Sequence, residues 1–253
     1  MIPMQFKNKV LGFSLVEMAV VLVILGFVLG ALLLPLQAQR TQAFQLQTEN
    51  TLDQAKKALL GYAVSRGRLP CPASATSNID AGSRGLESPL PITGTCTNVN
   101  GYLPAATLGI QPTDTFGFAV DAWNNRIRYA VTQTNNAGAA DANFTTANGM
   151  SNQGVTILQP NLRVCSSASG ITVARCSPGL ESNFLTNNAV AVIFSVGETG
   201  AQGSGGADED ANLDNSPVFV SRDALANGEF DHILVWISPY VLFNAMIEAG
   251  QLH

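Results

Sequence analysis

Glu17 stands immediately ahead of a stretch, Met18 to Gln39, that carries no charge. A carboxylate carried to the centre of a bilayer costs about 2.5–3.5 kcal/mol. Its placement therefore has two readings: it lies in the headgroup zone, or it pairs with a cation that a partner supplies. Farther along, Ser195, Asp231 and His232 supply the residue types of a nucleophile, an orienting acid and a base. Asp231 and His232 are adjacent, however, and neighbours in a strand point to opposite faces. The nucleophile-elbow pattern Gly-x-Ser-x-Gly is missing from the chain. With His232 and His253 as its two histidines, the protein has little material for histidine-based triads or metal sites. Asp208, Asp210 and Asp214 crowd into the Gly-rich segment Gly205–Asn215. Oxygen-rich side chains on such a loop suit calcium, which takes about 6–8 oxygen ligands, although the spacing is not that of an EF-hand. A solvated acidic loop is the competing reading.

The elements that must position these groups follow from composition and pattern. The 253 residues are 46% hydrophobic and 12% charged, too apolar for a disordered chain and enough for one large or two small domains. A formal net charge of −5 gives no basic surface to neutralise phosphates, so nucleic acid is not an expected partner. As a helix, the uncharged run rises roughly 33 Å, sufficient to span a bilayer core of about 30 Å. Lys7 and Lys9 precede the run without a neighbouring acid. That asymmetry places the N-terminus in the cytoplasm and the remainder outside.

Lys7-x-Lys9-x-x-Gly12, followed by Phe13-Ser14-Leu15-Val16-Glu17-Met18 and the apolar run, resembles the type IV prepilin signal. Type IV pilins, minor pilins and type II secretion pseudopilins share that signal. The resemblance implies cleavage by prepilin peptidase between Gly12 and Phe13, with methylation of the new N-terminus at Phe13. It also implies that Glu17 meets the N-terminal amine of a neighbouring subunit during assembly. The implied partners are prepilin peptidase, other pilin or pseudopilin subunits, an inner-membrane assembly platform and membrane lipid. Loss of leader residues 1–12 removes Lys7 and Lys9 and no acid, taking the formal charge from −5 to −7.

Beyond Arg40 the helical pattern persists. Leu52, Ala55, Leu59 and Tyr62 form one stripe, and Gly67 with Pro70 ends it. The expected helix covers 13–66, with about 16–38 in the membrane and Pro35 as a site of bending. The expected head covers 67–253. Strand character appears at Arg126–Thr132, Val155–Leu158, Ala189–Val196, Pro217–Val220 and Ile233–Ile237, with an exposed loop over 133–154. Ser238-Pro239 opens a last helix as N-cap and first residue. The fold class is therefore α+β: a pilin-like long N-terminal helix whose outer half packs on a mostly antiparallel head.

Cys71, Cys96, Cys165 and Cys176 all lie beyond the span, in the compartment expected to be oxidising. Of the three pairings four cysteines allow, the sequence-local one is expected: Cys71 with Cys96 and Cys165 with Cys176. Each link contributes about 3 kcal/mol in the chain-entropy model. Zinc ligation would call for CxxC-type spacing or nearby histidines, and the sequence has neither. Two stretches of the head resemble the major-pseudopilin head. Asp121-Ala-Trp123-Asn124-Asn125 is similar to that family's Asp-x-Trp-Gly-Asn turn, with Asn124 in place of Gly, a residue that also tolerates positive φ. Ser195-Val-Gly-Glu198 and Asp231–Trp236 resemble the end of that head, where the family holds calcium in a loop between strands. Together these features point to a structural, non-catalytic filament subunit of the inner membrane with a periplasmic head, serving type II secretion or pilus assembly. A membrane-anchored periplasmic enzyme is the alternative.

Overall fold

The long helix, α1 (Leu15–Arg66), runs through Pro35. The computed structural model describes residues 12, 14–74, 84–89, 94–132, 143–172, 176, 183–202, 205–223 and 230–252; the side chains of 31–37 and 201–202 lie outside it. Two compact units divide the chain, Met1–Ala43 and Phe44–His253. In the first, the side chains described over 15–30 are exposed. Among the described residues no helix is long and apolar enough to cross a membrane. Part of the expected span, 31–37, falls on side chains outside the described set.

The second unit holds the remaining elements: β1 (Asn100–Tyr102), α2 (Ala105–Leu108), β2 (Arg128–Val131), α3 (Gly149–Gln153), β3 (Leu162–Cys165), β4 (Phe184–Ala189), β5 (Ala191–Ser195), α4 (Ala207–Leu213), β6 (Val218–Val220), β7 (Ile233–Ile237) and α5 (Pro239–Glu248). A four-stranded sheet has the order β1-β2-β5-β7, antiparallel at every pairing. A three-stranded sheet has the order β4-β3-β6, antiparallel between β3 and β4 and parallel between β3 and β6.

The alternation of side chains along a strand divides the core in two. Tyr129, Val131, Ala191, Ile193 and Ile237 share one hydrophobic cluster with Leu52, Ala55, Leu59 and Ala63 of α1 and with Leu242 and Met246 of α5. Ala130, Val192, Phe194 and Leu234 share the other with Leu162, Val164 and Phe219 of the second sheet. The four-stranded sheet is thus covered on both faces, and this explains why β5, Ala-Val-Ile-Phe-Ser, is buried at every position.

Three sequence expectations change. Val155–Leu158 is a turn: Gly154 closes α3 at φ 74°, Ile157 N–H bonds back to Gly154 O, and Val155 and Ile157 face solvent. The loop expected over 133–154 lies outside the described residues through 142. From 143 onward it is partly core, with Ala147, Asn148 and Asn152 exposed but Phe144 and Met150 fully buried and Phe144 stacked near Phe243 at 6.5 Å. Residues 207–213, expected as part of an acidic loop, form α4. At the other end, Ser238 caps α5, its side chain accepting from Val241 N, with Pro239 in the first turn.

Candidate functional site

At the N-terminal signal, Gly12 is exposed with open space around its α-carbon. Phe13, the other half of the expected cleavage bond, lies outside the described residues, as do Lys7 and Lys9. Ser14 and Glu17 bond reciprocally: Ser14 N–H donates to Glu17 Oε2 at 2.8 Å, and Glu17 N–H donates to Ser14 Oγ at 3.2 Å. This is a capping box, which satisfies two backbone donors at the first turn of a helix. The Ser-x-x-Glu spacing announces it, and the sequence reading passed over it. The carboxylate is therefore exposed and held at the helix start, with a second role open to it.

In the head, Asp121 organises the turn that resembles the pseudopilin motif. Its Oδ1 accepts from the backbone N–H of Trp123 at 2.9 Å and of Asn125 at 2.8 Å, and Asn124 adopts φ 68°. Ser195 Oγ donates to Asp121 Oδ2 at 2.5 Å and accepts from Gly197 N–H at 3.0 Å. Burial pushes the Asp121 carboxyl above its usual value, more than the Ser195 and backbone hydrogen bonds lower it. The Asp121 bond thus pins the end of β5 to this turn and the Gly197 bond orders the chain just after β5, while His232 bonds to Asn212. The structure does not join Ser195, Asp231 and His232 into a nucleophile–base pair.

The expected calcium ligands separate. Asp208 pairs with Arg222 and accepts from Ala168 N–H. Asp214 accepts from Ser216 N–H at 2.7 Å. Asp210 is exposed on α4. Among the described residues these three do not form one ligand group; Glu209, Asp231 and His232 do, with one candidate ligand atom from each within 4.8 Å of the others. The helix is the reason: it turns Glu209 inward, to 0% exposure, while Asp208 faces Arg222 and Asp210 faces solvent.

Glu209 Oε1 accepts from Asp231 N–H at 2.9 Å and Oε2 from Gly205 N–H at 2.5 Å. Asp231 Oδ2 accepts from Thr199 N–H at 2.7 Å. Gly197 sits against this carboxylate at φ 65°, where a β-carbon would come within 2.4 Å of Asp231; only glycine fits both conditions. His232 lies 6.0 Å from the ring of Phe194 and 5.7 Å from that of Phe230, and its Nε2 stands 3.8 Å from Glu209 Oε2. Burial lowers the His232 pKa to about 4, so the ring is neutral. Sequence spacing hid this cluster, because twenty-two positions separate Glu209 from Asp231.

A second buried ionic group is fully partnered. Arg68 Nη1 and Nη2 donate to Glu87 Oε2 and Oε1 at 2.8 and 2.9 Å. Tyr62 OH donates to Glu87 Oε1 at 2.7 Å, and Cys71 N–H donates to Glu87 Oε2 at 3.1 Å. Burial, with the Glu87 hydrogen bond, pushes the Tyr62 hydroxyl up to about 12. Burial alone would raise Glu87, but Arg68 and Tyr62 bring it below its usual value. Beside this group Cys71 pairs with Cys96, and elsewhere in the head Cys165 pairs with Cys176, the pairs expected.

Residues 7–33 match the family model of the prokaryotic N-terminal methylation motif. The chain thus carries the type IV prepilin-like signal, which marks a pilin-like substrate of prepilin peptidase. No curated protein and no solved structure matches the chain.

Proposed function

We propose that this protein is a structural subunit, a pseudopilin or minor pilin, of a type IV-filament machine serving type II secretion or pilus assembly. Prepilin peptidase cuts it between Gly12 and Phe13, and Phe13 becomes the methylated N-terminus. The uncharged run holds it in the inner membrane as a single pass, with the leader cytoplasmic and the head periplasmic. The observation that carries this reading is the methylation motif at residues 7–33. The two disulfides support the periplasmic side, where such bonds persist.

Assembly then uses Glu17. When α1 is drawn out of the membrane into a helical bundle, the methylated amine of Phe13 loses its water. The Glu17 carboxylate of an adjoining copy or related subunit offsets part of that desolvation cost and fixes the register between helices. Glu17→Gln is the informative change, because an amide still accepts the capping hydrogen bond from Ser14 but carries no charge. Cleavage and membrane insertion should be retained, while the fraction of protein in sheared filaments, or secretion output, falls. Normal incorporation of Glu17→Gln would remove the pairing role.

A further inference from the structure

Strand β4 lies at one edge of the three-stranded sheet, and its pairing is irregular. In the register of β3 with β4, Leu162 faces Ala189 and Val164 faces Thr186. Arg163 alone therefore stands opposite two residues, Asn187 and Asn188. That is a β-bulge, with the extra residue on the edge strand. Consecutive side chains of a regular strand point to opposite faces. The bulge lifts that restriction, and both asparagines line the same cleft. Bulges are frequent at sheet edges and beside functional sites, where they re-aim side chains.

The cleft has a volume of about 340 Å³, within the range of small-molecule sites, about 300–1,000 Å³. Its lining has two parts. One comes from the first turns of α5: Tyr240, 77% exposed, and Phe243. Ser238 caps this end of the helix, Pro239 stiffens it, and Phe243 stacks near Phe144 of the core. The rings are thus held in place before any ligand arrives. The other part is polar: Asn187, Asn188, Gln159 and Arg163. Asn188 Oδ1 accepts from Thr186 Oγ1 at 3.2 Å, which sets the amide plane and leaves Nδ2 to donate elsewhere.

We propose that this cleft binds a neutral saccharide, with a sugar ring lying over Tyr240 and its hydroxyls bonded by the bulge asparagines and Gln159. A sugar ring has the matching pair of surfaces: an apolar C–H face and a rim of hydroxyls that each donate and accept. A side-chain amide carries donors and an acceptor in one plane, so three amides suit such a rim. Other ligand classes fit less well. The lining includes no aspartate or glutamate, so a cation would meet no countercharge. Arg163 is its one charged side chain, where phosphate or carboxylate recognition draws on clustered or bidentate arginines. A wholly apolar ligand would take four polar groups out of water without partners. The inference goes beyond the filament role, since the cleft can be filled whether or not the chain enters a filament.

The test is calorimetric titration of the full chain, held in a detergent without a sugar headgroup, with chitotetraose, cellotetraose, maltotetraose and lactose. At least one should bind at a single site per chain, with a Kd of about 0.01–1 mM. Tyr240→Ala and Asn187→Ala should each weaken that binding about tenfold or more. Both side chains are exposed, so both variants should unfold at the wild-type temperature. Tyr240→Phe keeps the ring and should stay within about threefold of wild type. Phe116→Ala removes an exposed ring outside the cleft and should change nothing. Glu17→Gln, the variant that tests the filament role, should bind the sugar as wild type does. Failure of all four sugars to bind overturns the proposal, as does binding that Tyr240→Ala leaves intact. Tighter binding of trigalacturonate than of every neutral sugar overturns the neutral assignment. A dimer in sedimentation that Tyr240→Ala dissolves, with no sugar bound by the wild type, would assign the cleft to a second copy instead and overturn the proposal.

Discussion

The N-terminal segment and the head carry their chemistry in opposite ways. In the segment, Gly12, Ser14 and Glu17 act within six consecutive positions; the capping box is local, exposed and independent of tertiary packing. In the head, partners come from distant parts of the chain: Arg68 with Glu87, Asp121 with Ser195, Glu209 with Asp231. The first kind of site is read by another protein as a linear motif. The second exists only when the core has formed, because its charges lose their water there and need partners built by the fold.

That contrast gives separable phenotypes. The largest effect is expected from Gly12→Val, which should block leader removal almost completely on a gel of membrane protein while leaving the unfolding temperature of the head unchanged. A bulky residue at the scissile bond acts on recognition alone, since among the described residues a β-carbon at Gly12 would meet nothing within 4 Å. A fall in head stability with this variant would break the comparison.

The next effect lies in the head. Glu87→Gln removes the charge that Arg68 is buried against, and breaking one side of a buried pair costs about 3–5 kcal/mol. The lowered Glu87 pKa adds a pH dependence. A carboxyl whose folded value lies below its unfolded value contributes stability that is complete above the unfolded value. That contribution is lost as pH falls through the folded one. Wild-type stability should therefore drop on acidification below the usual glutamate range, and Glu87→Gln should show less of that drop in denaturant titrations. Processing at Gly12 should be untouched.

The smallest effect is Ser238→Ala. Loss of an N-cap costs about 0.5–2 kcal/mol, and the 3.4 Å contact to Val241 N–H puts this one near the bottom of that range. A loss above about 2 kcal/mol would mean that α5 depends on its cap more than on the burial of Leu242 and Met246.

What the sequence made legible divides along the same line. The methylation motif, the Leu52–Ala55–Leu59 stripe, the Ile233–Ile237 strand and the Ser238-Pro239 start all rest on neighbours or on one periodicity; the family model matches the first, and the structure contains the other three. The local cysteine pairing needed only proximity along the chain. Strand β1 escaped because Asn-Gly-Tyr carries turn residues, and its strand state comes from pairing with Arg128–Ala130. Strand β4, Phe-Leu-Thr-Asn-Asn-Ala, is held by its antiparallel neighbour β3 despite two asparagines. The acidic segment misled for a related reason: three aspartates looked like a ligand set in one dimension. Asp208 and Asp210 instead lie in a helix, with Asp214 at its C-cap, and that helix delivers Glu209 inward, to meet residues whose distance along the chain gives no signal.

The most direct test of the account is the intact mass of the protein extracted from membranes of a host that has prepilin peptidase. The account predicts one species lacking residues 1–12 and carrying one added methyl group, with fragmentation placing that group on the amine of Phe13. A chain that keeps its leader, or one cut after the apolar run, would contradict it.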